Sequence, residues 1–230
     1  MTRRVLACLW RGDDLPGYSS NKYDLGYAAK LRDMLGEQAR LTLVTDFDCE
    51  EVPGIDTHRM KGIGVGGWTP VFEAFDAELW PKGNERCVLV GLDTIITGDI
   101  GWLFEWRESD VGLPLDPYYA PEFCDAVVTY NRAGAALVMQ RYLREAGAGR
   151  MNSHYTLAGR PSEMVLLRAM AKEHEWAPLE AEPRRLLSYK QHVLKEGRDW
   201  REASVTYFHG DPKPHQLPED DDLKKVWRCA

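Results

Sequence analysis

The segment that most restricts the fold of this chain is an unbroken apolar run from Cys87 to Leu92. Apolar residues at every position, instead of at alternate positions, suit a strand that is buried on both faces of a sheet. The run ends on Asp93, and apolar sequence resumes at Ile95-Ile96 before a glycine. Ligands of open α/β sheets bind at the carboxyl ends of the strands, so Asp93 is a candidate metal or substrate carboxylate. A helix cap or a turn residue is the alternative.

Strand-like and helix-like segments alternate along the chain. Further strands are predicted at Arg4 to Trp10, Leu41 to Thr45, Asp56 to Met60, Asp125 to Tyr130, Leu186 to Lys190 and Val205 to Phe208. Helices are predicted after an N-cap at Ser20, from Thr69-Pro70, over Ala133 to Glu145, and from Pro161. This alternation predicts an α/β fold, a Rossmann-like α/β/α sandwich with a mainly parallel central sheet.

Composition excludes several classes of protein. A chain of 230 residues with 44% hydrophobic and 28% charged residues can bury one substantial core, and its net charge of −7 gives no general attraction to nucleic acid or anionic membranes. No apolar stretch approaches the roughly 20 residues that span a bilayer. The five cysteines are odd in number and never in C-x-x-C spacing, which favours reduced thiols and a cytoplasmic location. We expect one domain over residues 1–218 and a charged, solvated tail over residues 219–230.

The segment Phe208-His209-Gly210-Asp211-Pro212-Lys213-Pro214 carries the clearest functional signal. A neutral histidine can bind a metal, and lysine supplies a point charge suited to phosphate. Glycine lets a backbone N–H approach a ligand, and the two prolines limit the freedom of the loop. The combination predicts a metal–diphosphate site; the alternative is a strand end followed by a turn fixed by proline.

A glycine-rich segment, Gly62 to Gly67, matches G-x-G-x-x-G but lies in the wrong place for a dinucleotide site. That fingerprint normally belongs to the first strand–helix unit, with an acidic residue about 20 positions further on. Here it follows the second unit. We therefore expect a flexible loop over a substrate cleft.

Three motifs in order resemble those of the retaining nucleotide-sugar glycosyltransferases of the GT-A fold, in particular family 8 and its bacterial and phage relatives. The stretch from Val90 to Ile100 is similar to that family's L-D-x-D-T-V-I-x-G-D-I, and Phe208 to Pro214 is similar to F-H-G-x-x-K-P. Ser188 to His192 matches an intermediate S-Y-K-x-H pattern. The resemblance runs from Val5 to about Leu217.

The resemblance implies a role for each matching residue. Asp93 would be the metal ligand from the second aspartate of Asp-x-Asp, and His209 would complete the protein side of a Mn²⁺ or Mg²⁺ site. Gly210 and Lys213 would contact the diphosphate of the donor. Trp10 and Asp46, at the ends of the first two strands, would lie near the base and the ribose.

Several positions depart from the pattern of the family. Gly91 replaces the first aspartate of Asp-x-Asp, and Val71 replaces a lysine. Gly159-Arg160-Pro161 stands in place of G-D-Q, and Cys124-Asp125 in place of Asn-Ser. Glu163, one helical turn further on, could supply the missing carboxylate of the sugar site, although a first-turn glutamate on the surface is the commoner explanation.

The function predicted from these features is metal-dependent transfer of a sugar from a UDP- or GDP-linked donor to an unknown acceptor, with retention of configuration. Asp93, Lys213 and Glu163 are the predicted catalytic residues. Two alternatives stay open. One is a homologue that binds a nucleotide sugar without catalysis, which the departures at Gly91, Val71 and Arg160 favour. The other is a nucleotidyltransferase or hydrolase on a similar sheet.

Overall fold

The computed structural model describes residues 3–11, 23–48, 52–80, 86–180 and 184–230, and it confirms the mixed α/β prediction. The strands are β1 (Arg4–Leu9), β2 (Arg40–Thr45), β3 (Ile55–Arg59), β4 (Cys87–Val90), β5 (Ile95–Ile96), β6 (Val111–Gly112), β7 (Val127–Tyr130), β8 (Thr156–Leu157), β9 (Arg160–Pro161), β10 (Leu186–Ser188) and β11 (Val205–Tyr207). The α-helices are α1 (Leu25–Leu35), α2 (Gly101–Glu105), α3 (Arg132–Gly147), α4 (Glu163–Glu173) and α5 (Asp222–Cys229).

Six strands form the central sheet in the order β3-β2-β1-β4-β7-β6. The pairs β3–β2, β2–β1 and β1–β4 are parallel, whereas β7 runs antiparallel to both β4 and β6. A smaller sheet has the order β10-β11-β5, and β8 and β9 form a short hairpin. The central sheet is therefore mainly parallel, as the sequence predicts.

Both faces of the central sheet are covered. Along β1, Val5 and Leu9 pack on the side of helix α1, while Leu6 packs on the opposite side with the segment around Phe72 and with helix α3. This division follows from the strand period of two residues. All four side chains of β4 are buried, because they alternate between two cores. The strand predicted from the unbroken apolar run is thus the second of the two innermost parallel strands.

Several helix boundaries differ from the sequence prediction. Helix α1 begins at Leu25 because the carboxylate of Asp24 accepts the N–H of Tyr27 (3.2 Å); the predicted N-cap, Ser20, lies outside the described residues. The segment Thr69–Phe75 is 3₁₀-helical. Pro161 belongs to β9, and helix α4 begins two residues later at Glu163.

The strand predicted over Leu186 to Lys190 ends at Ser188 and continues as a π-helix, Tyr189–Lys195. His192 explains the change of direction, because its Nδ1 accepts the N–H of Ser188 (2.9 Å) and folds the chain back on itself. Short 3₁₀ turns follow at Trp200–Glu202 and Pro214–Gln216.

The prediction of a solvated C-terminal tail is wrong. Residues Asp222–Cys229 form helix α5, in which Leu223 is fully buried. The ring of Trp227 lies 5.2 Å from the ring of Tyr27 in helix α1, and the ammonium group of Lys30 lies 4.8 Å from the Trp227 ring. Apolar residues at helical spacing dock this segment, the buried ammonium group of Lys224 bonds the carbonyl oxygen of Leu217 (2.6 Å), and exposed charges pair as in Lys225–Asp222 (2.7 Å). Within the described ranges, no helix has the length and apolarity needed to cross a membrane.

Candidate active site

A cavity of about 350 Å³ opens where strands β1 and β4 end. Trp10 follows β1, and Asp93 follows β4. Three more segments contribute walls: the residues before β7, the start of helix α4, and the loop from His209 to Lys213 after β11. Because β7 is antiparallel to β4, its amino end lies at the same edge as the carboxyl end of β4. The sheet topology thus gathers residues from distant parts of the sequence around one cavity.

Asp93 and Lys213, 120 residues apart, form an ion pair in this cavity. The Lys213 Nζ lies 2.5 Å from Asp93 Oδ2, and only 7% of the lysine side chain and 10% of the aspartate side chain are exposed. The hydroxyl of Tyr23 donates to the same oxygen (2.8 Å). The sequence predicts both residues as site residues but not their direct contact, and it gives no sign of Tyr23.

His209 is held edge-on between two tyrosines, with ring centroids 5.9 Å from Tyr118 and 4.9 Å from Tyr207. Burial lowers the pKa of the imidazole, which therefore stays neutral at physiological pH. Its Nε2 is buried and has no hydrogen-bond partner. A neutral imidazole whose Nε2 has no partner, in the same cavity as the Asp93 carboxylate, is suited to bind a metal ion.

Gly210 adopts a left-handed backbone conformation, with φ of 57°, which explains the need for glycine at this position. The ammonium group of Lys190 lies 3.5 Å from the position that a Cβ would take at Gly210. Lys190 comes from the S-Y-K-x-H segment, so this motif brings a second lysine to the loop that holds Lys213. The loop therefore has the ammonium group of Lys190 beside Gly210 and that of Lys213 beside Asp93.

Gly91 leaves space that the side chain of Asp93 uses. A Cβ at position 91 would lie 2.7 Å from Asp93 Oδ1, closer than a real contact allows. The position where the resembled family has its first aspartate is therefore filled by the second one. Of the other departures, Val71 lines the cavity, and Arg160 lies in β9.

Only one of the two residues predicted to contact the base and the ribose lies in the wall of the cavity. Trp10 lines the cavity. Asp46 does not belong to its wall, and both carboxylate oxygens accept the backbone N–H of Arg11, at 2.9 and 3.1 Å. Asp46 thus ties the loop after β2 to the loop after β1.

Asp125 and Glu163 both line the cavity, and each affects the ionisation of the other. Burial, together with the neighbouring Asp125 carboxylate, raises the pKa of Glu163 well above its usual range. Glu163 therefore keeps its proton at pH values at which a free glutamate is ionised. Glu163 is the first residue of helix α4 and points into the cavity, whereas the commoner expectation for a first-turn glutamate is a surface position.

The glycine-rich segment is tied to the protein body. The buried carboxylate of Glu73 accepts backbone N–H groups from Lys61, Gly62 (2.9 Å) and Ile63 (3.0 Å). Further along, Gly67 lies against β9, where a Cβ would meet the carbonyl oxygen of Pro161 at 2.1 Å. In a dinucleotide site, such backbone N–H groups would donate to a pyrophosphate. Here they donate to the carboxylate of Glu73, which agrees with the prediction that this segment is not a dinucleotide site.

Several solved structures are similar to this chain over nearly its whole length. The glycosyltransferase GlyE of Streptococcus pneumoniae TIGR4 superposes with a TM-score of 0.63 over 99% of this chain at 15% identity, and this chain spans 59% of the length of GlyE. The galactosyltransferase LgtC gives a TM-score of 0.62 at 9% identity, with 98% of this chain and 95% of LgtC covered. Mouse xyloside xylosyltransferase 1 gives 0.53 at 15% identity, with 92% and 98% covered.

The chain has a GT-A glycosyltransferase fold. At these identities the similarity concerns the fold alone, so family 8 and its bacterial and phage branch stay predictions from the motifs. No protein-family model and no curated protein matches the sequence.

Sequence reasoning missed part of the cavity wall. The sequence predicts Asp125 only as the start of a strand and as a departure from Asn-Ser, and it predicts no role in the site for Tyr23 or Lys190. An aspartate at the start of a predicted strand is a usable signal for Asp125, but only when that strand is known to run antiparallel to the strand of Asp93. No local pattern identifies Tyr23, because its contact joins residues 70 positions apart.

Proposed function

We propose that this chain is a glycosyltransferase that moves a sugar from a nucleotide-diphosphate donor, UDP- or GDP-linked, to an acceptor, with retention of configuration. The observation that carries the proposal is the convergence of Asp93, His209 and Lys213 on one cavity of a GT-A glycosyltransferase fold. A carboxylate, a neutral imidazole and an ammonium group together suit a diphosphate and its counter-ion.

The proposal includes a divalent cation, Mn²⁺ or Mg²⁺, held by Asp93 and His209. The residues fit such an ion because the buried Nε2 of His209 has no partner and its ring is neutral. Two protein ligands leave the other positions to diphosphate oxygens and water, which is usual for a hard cation bound with its substrate. When bound, the cation would neutralise charge that develops on the departing nucleoside diphosphate.

Lys213 acts on the same leaving group. Its ammonium group is bonded to Asp93, and the diphosphate of a donor would offer it a second anion within the cavity. Charge-assisted bonds of this kind stabilise a transition state without a proton transfer from the lysine. Gly210 lets the backbone of the same loop approach the diphosphate, and Trp10 would lie near the base.

Calorimetric titration of UDP and GDP, each with Mn²⁺ and with EDTA, tests this proposal on the wild type and on Asp93→Asn. We expect binding of one nucleotide that needs the metal and is lost in the variant. Turnover across UDP- and GDP-linked sugars, assayed by release of the nucleoside diphosphate, then tests catalysis. Binding of neither nucleotide would contradict the donor site, and release of pyrophosphate or a monophosphate would indicate a nucleotidyltransferase or hydrolase.

A second candidate is a protein that binds a nucleotide sugar without transferring it. The Asp93–Lys213 ion pair favours this candidate, since the lysine and Tyr23 already occupy one oxygen of the predicted metal ligand and Gly91 supplies no second carboxylate. Slow metal-dependent turnover that disappears in Asp93→Asn would exclude it. Metal-dependent binding with no turnover of any donor, with or without added acceptor sugars, would support it.

A further inference from the structure

The S-Y-K-x-H segment brings Lys190 to the edge of the cavity. Strand β10 runs parallel to β11, so the two strands end at the same edge of the small sheet. Directly after these strands, the rings of Tyr189 and Phe208 stack with their centroids 4.8 Å apart. Lys190 follows this stack on one side, and the loop from His209 to Lys213, which forms part of the cavity wall, follows it on the other. The sheet and the stacked rings therefore hold Lys190 beside this loop.

The backbone on both sides of Lys190 is fixed by side-chain hydrogen bonds. Lys190 is the second residue of the π-helix Tyr189–Lys195. Before it, the N–H of Ser188 donates to His192 Nδ1 (2.9 Å), and the hydroxyl of Tyr189 donates to Asp221 Oδ2 (2.8 Å). Single π-helical turns are frequent at functional sites. The motif thus builds an unusual turn whose one cationic side chain beside the cavity is Lys190.

The two lysines at this loop differ in how their charge is compensated. The ammonium group of Lys213 is bonded to Asp93, so that this pair has no net charge. The ammonium group of Lys190 makes no hydrogen bond or ion pair with any residue that the structure describes. Its Nζ lies 3.5 Å from the position that a Cβ would take at Gly210, and no side chain of Gly210 stands between this ammonium group and a ligand on the loop.

The charge of Lys190 also acts on the interior of the site. Burial is the main cause of the lowered pKa of His209, and the positive charges of Lys213 and Lys190 act in the same direction. Lys190 is therefore within electrostatic reach of the imidazole, although its side chain starts from a different strand. An anion bound at the loop would be within reach of the same charge.

We propose that Lys190 is a second lysine that binds the diphosphate, at the backbone of Gly210, and that it supplies the positive charge that the Asp93–Lys213 pair lacks. This assignment rests on the proposed function, which places the diphosphate of the donor at this loop. An ammonium group without a protein anion makes a charge-assisted contact with a phosphate at no cost to another ion pair. Lys213, in contrast, must share its charge between Asp93 and the ligand.

The test compares the wild type with Lys190→Gln and Lys190→Arg by calorimetry. UDP, GDP, uridine and guanosine are titrated in Mn²⁺, and inorganic pyrophosphate is titrated in EDTA, where side chains are the only cations of the site. In Lys190→Gln the affinities for pyrophosphate and for the bound nucleotide should fall by about tenfold, the low end for a charge-assisted hydrogen bond because this lysine is half-buried. The affinity for the nucleoside should stay the same, and Lys190→Arg should restore most of the loss.

Lys195→Gln, at an exposed lysine of the same π-helix, is the matched control and should behave as the wild type. Urea denaturation should give the same stability for all these variants, because the ammonium group of Lys190 has no protein partner to lose. Equal losses for nucleoside and nucleotide in Lys190→Gln, or a loss that Lys190→Arg does not restore, would overturn the phosphate contact in favour of a structural role.

The outcomes separate this contact from the proposed function. Unchanged affinities in Lys190→Gln, with nucleotide or pyrophosphate bound normally by the wild type, would overturn the role of Lys190 alone. Pyrophosphate binding that depends on Lys190, without binding of either nucleotide, would support the contact and contradict the proposed donor site. Failure of the wild type to bind pyrophosphate and both nucleotides would overturn the two together.

Discussion

The affinity of the cavity for an anionic ligand depends on single side chains, and Lys213 is the first that we would substitute. Lys213→Ala should weaken UDP or GDP binding in Mn²⁺ by about 1.5–3 kcal/mol, the range for charge-assisted hydrogen bonds. The affinity for the nucleoside alone should hardly change, and calorimetry measures both. Lys195→Ala, at an exposed lysine, is the control. Equal losses for nucleoside and nucleotide would contradict a diphosphate contact.

His209 is tested by the dependence of binding on metal. His209→Ala should lower the nucleotide affinity measured in Mn²⁺ by about tenfold or more, since even groups that only support a metal ligand are worth that much. The affinity measured in EDTA should stay the same, because the Nε2 of His209 makes no hydrogen bond that the substitution would remove. His154→Ala removes an exposed histidine and should change neither value. If nucleotide binding by His209→Ala depends on Mn²⁺ as in the wild type, His209 only packs at the end of strand β11 and does not bind the metal.

At the scale of elements, helix α5 shows where sequence reasoning succeeds and where it does not. The strands β1, β2, β4 and β11 were predictable because their apolar runs are dense and short. Residues 219–230 are predicted to be a tail because their charged residues outnumber their apolar ones, and only the contact of Trp227 with Tyr27 and Lys30 makes this side chain part of the core. The π-helix after β10 depends on a hydrogen bond of His192 that no periodicity reveals.

The contribution of helix α5 to stability can be measured by alanine substitutions at two leucines, one buried in this helix and one exposed elsewhere. Leu223→Ala should lower the free energy of unfolding by about 2–5 kcal/mol, the usual loss for a fully buried leucine. Leu194→Ala, at a leucine that is 58% exposed, should change it by about 0.5 kcal/mol or less. Urea denaturation monitored by tryptophan fluorescence gives both values. Equal effects of the two substitutions would indicate that helix α5 does not contribute to the folded core.

For the whole molecule, the retained proton of the Asp125–Glu163 pair gives stability a definite dependence on pH. The unfolded chain loses this proton near the ordinary glutamate pKa of about 4.3, whereas the folded protein keeps it. The folded state then binds more protons than the unfolded state, so this pair's contribution to stability falls as pH rises from about 4.3 through the raised pKa. Glu163→Gln should remove that contribution and make the protein relatively more stable at high pH.

Urea denaturation at several pH values between 5 and 9 checks this expectation, with Glu108→Gln, at an exposed site, following the wild-type curve. The buried imidazoles of His192 and His209 act in the opposite sense, since burial lowers their pKa and their contribution is lost toward acid. The two effects are separable because Glu163→Gln removes only the first and leaves both imidazoles in place. A variant curve parallel to the wild type over the whole range would contradict a retained proton.

The architecture and the meeting of Asp93, His209 and Lys213 could be expected from the sequence, because strand ends and ordered motifs are local signals. The Asp125–Glu163 pair could not, since Glu163 is an ordinary first-turn residue until the antiparallel course of β7 brings Asp125 to it. The binding of Glu73 to the glycine-rich segment likewise needs the fold. Which charged side chains meet across the cavity depends on the order and direction of the strands, and not on the spacing of these residues along the sequence.

The space beside Gly91 has a consequence for how this chain can change over generations. A Cβ at position 91 would lie 2.7 Å from Asp93 Oδ1, so an aspartate there requires the Asp93 side chain to shift, and this shift disturbs its contacts with Lys213 and Tyr23. A single Gly91→Asp substitution is therefore penalised before a second carboxylate can be of use. An Asp-x-Asp motif at positions 91–93 would need coordinated replacements around it.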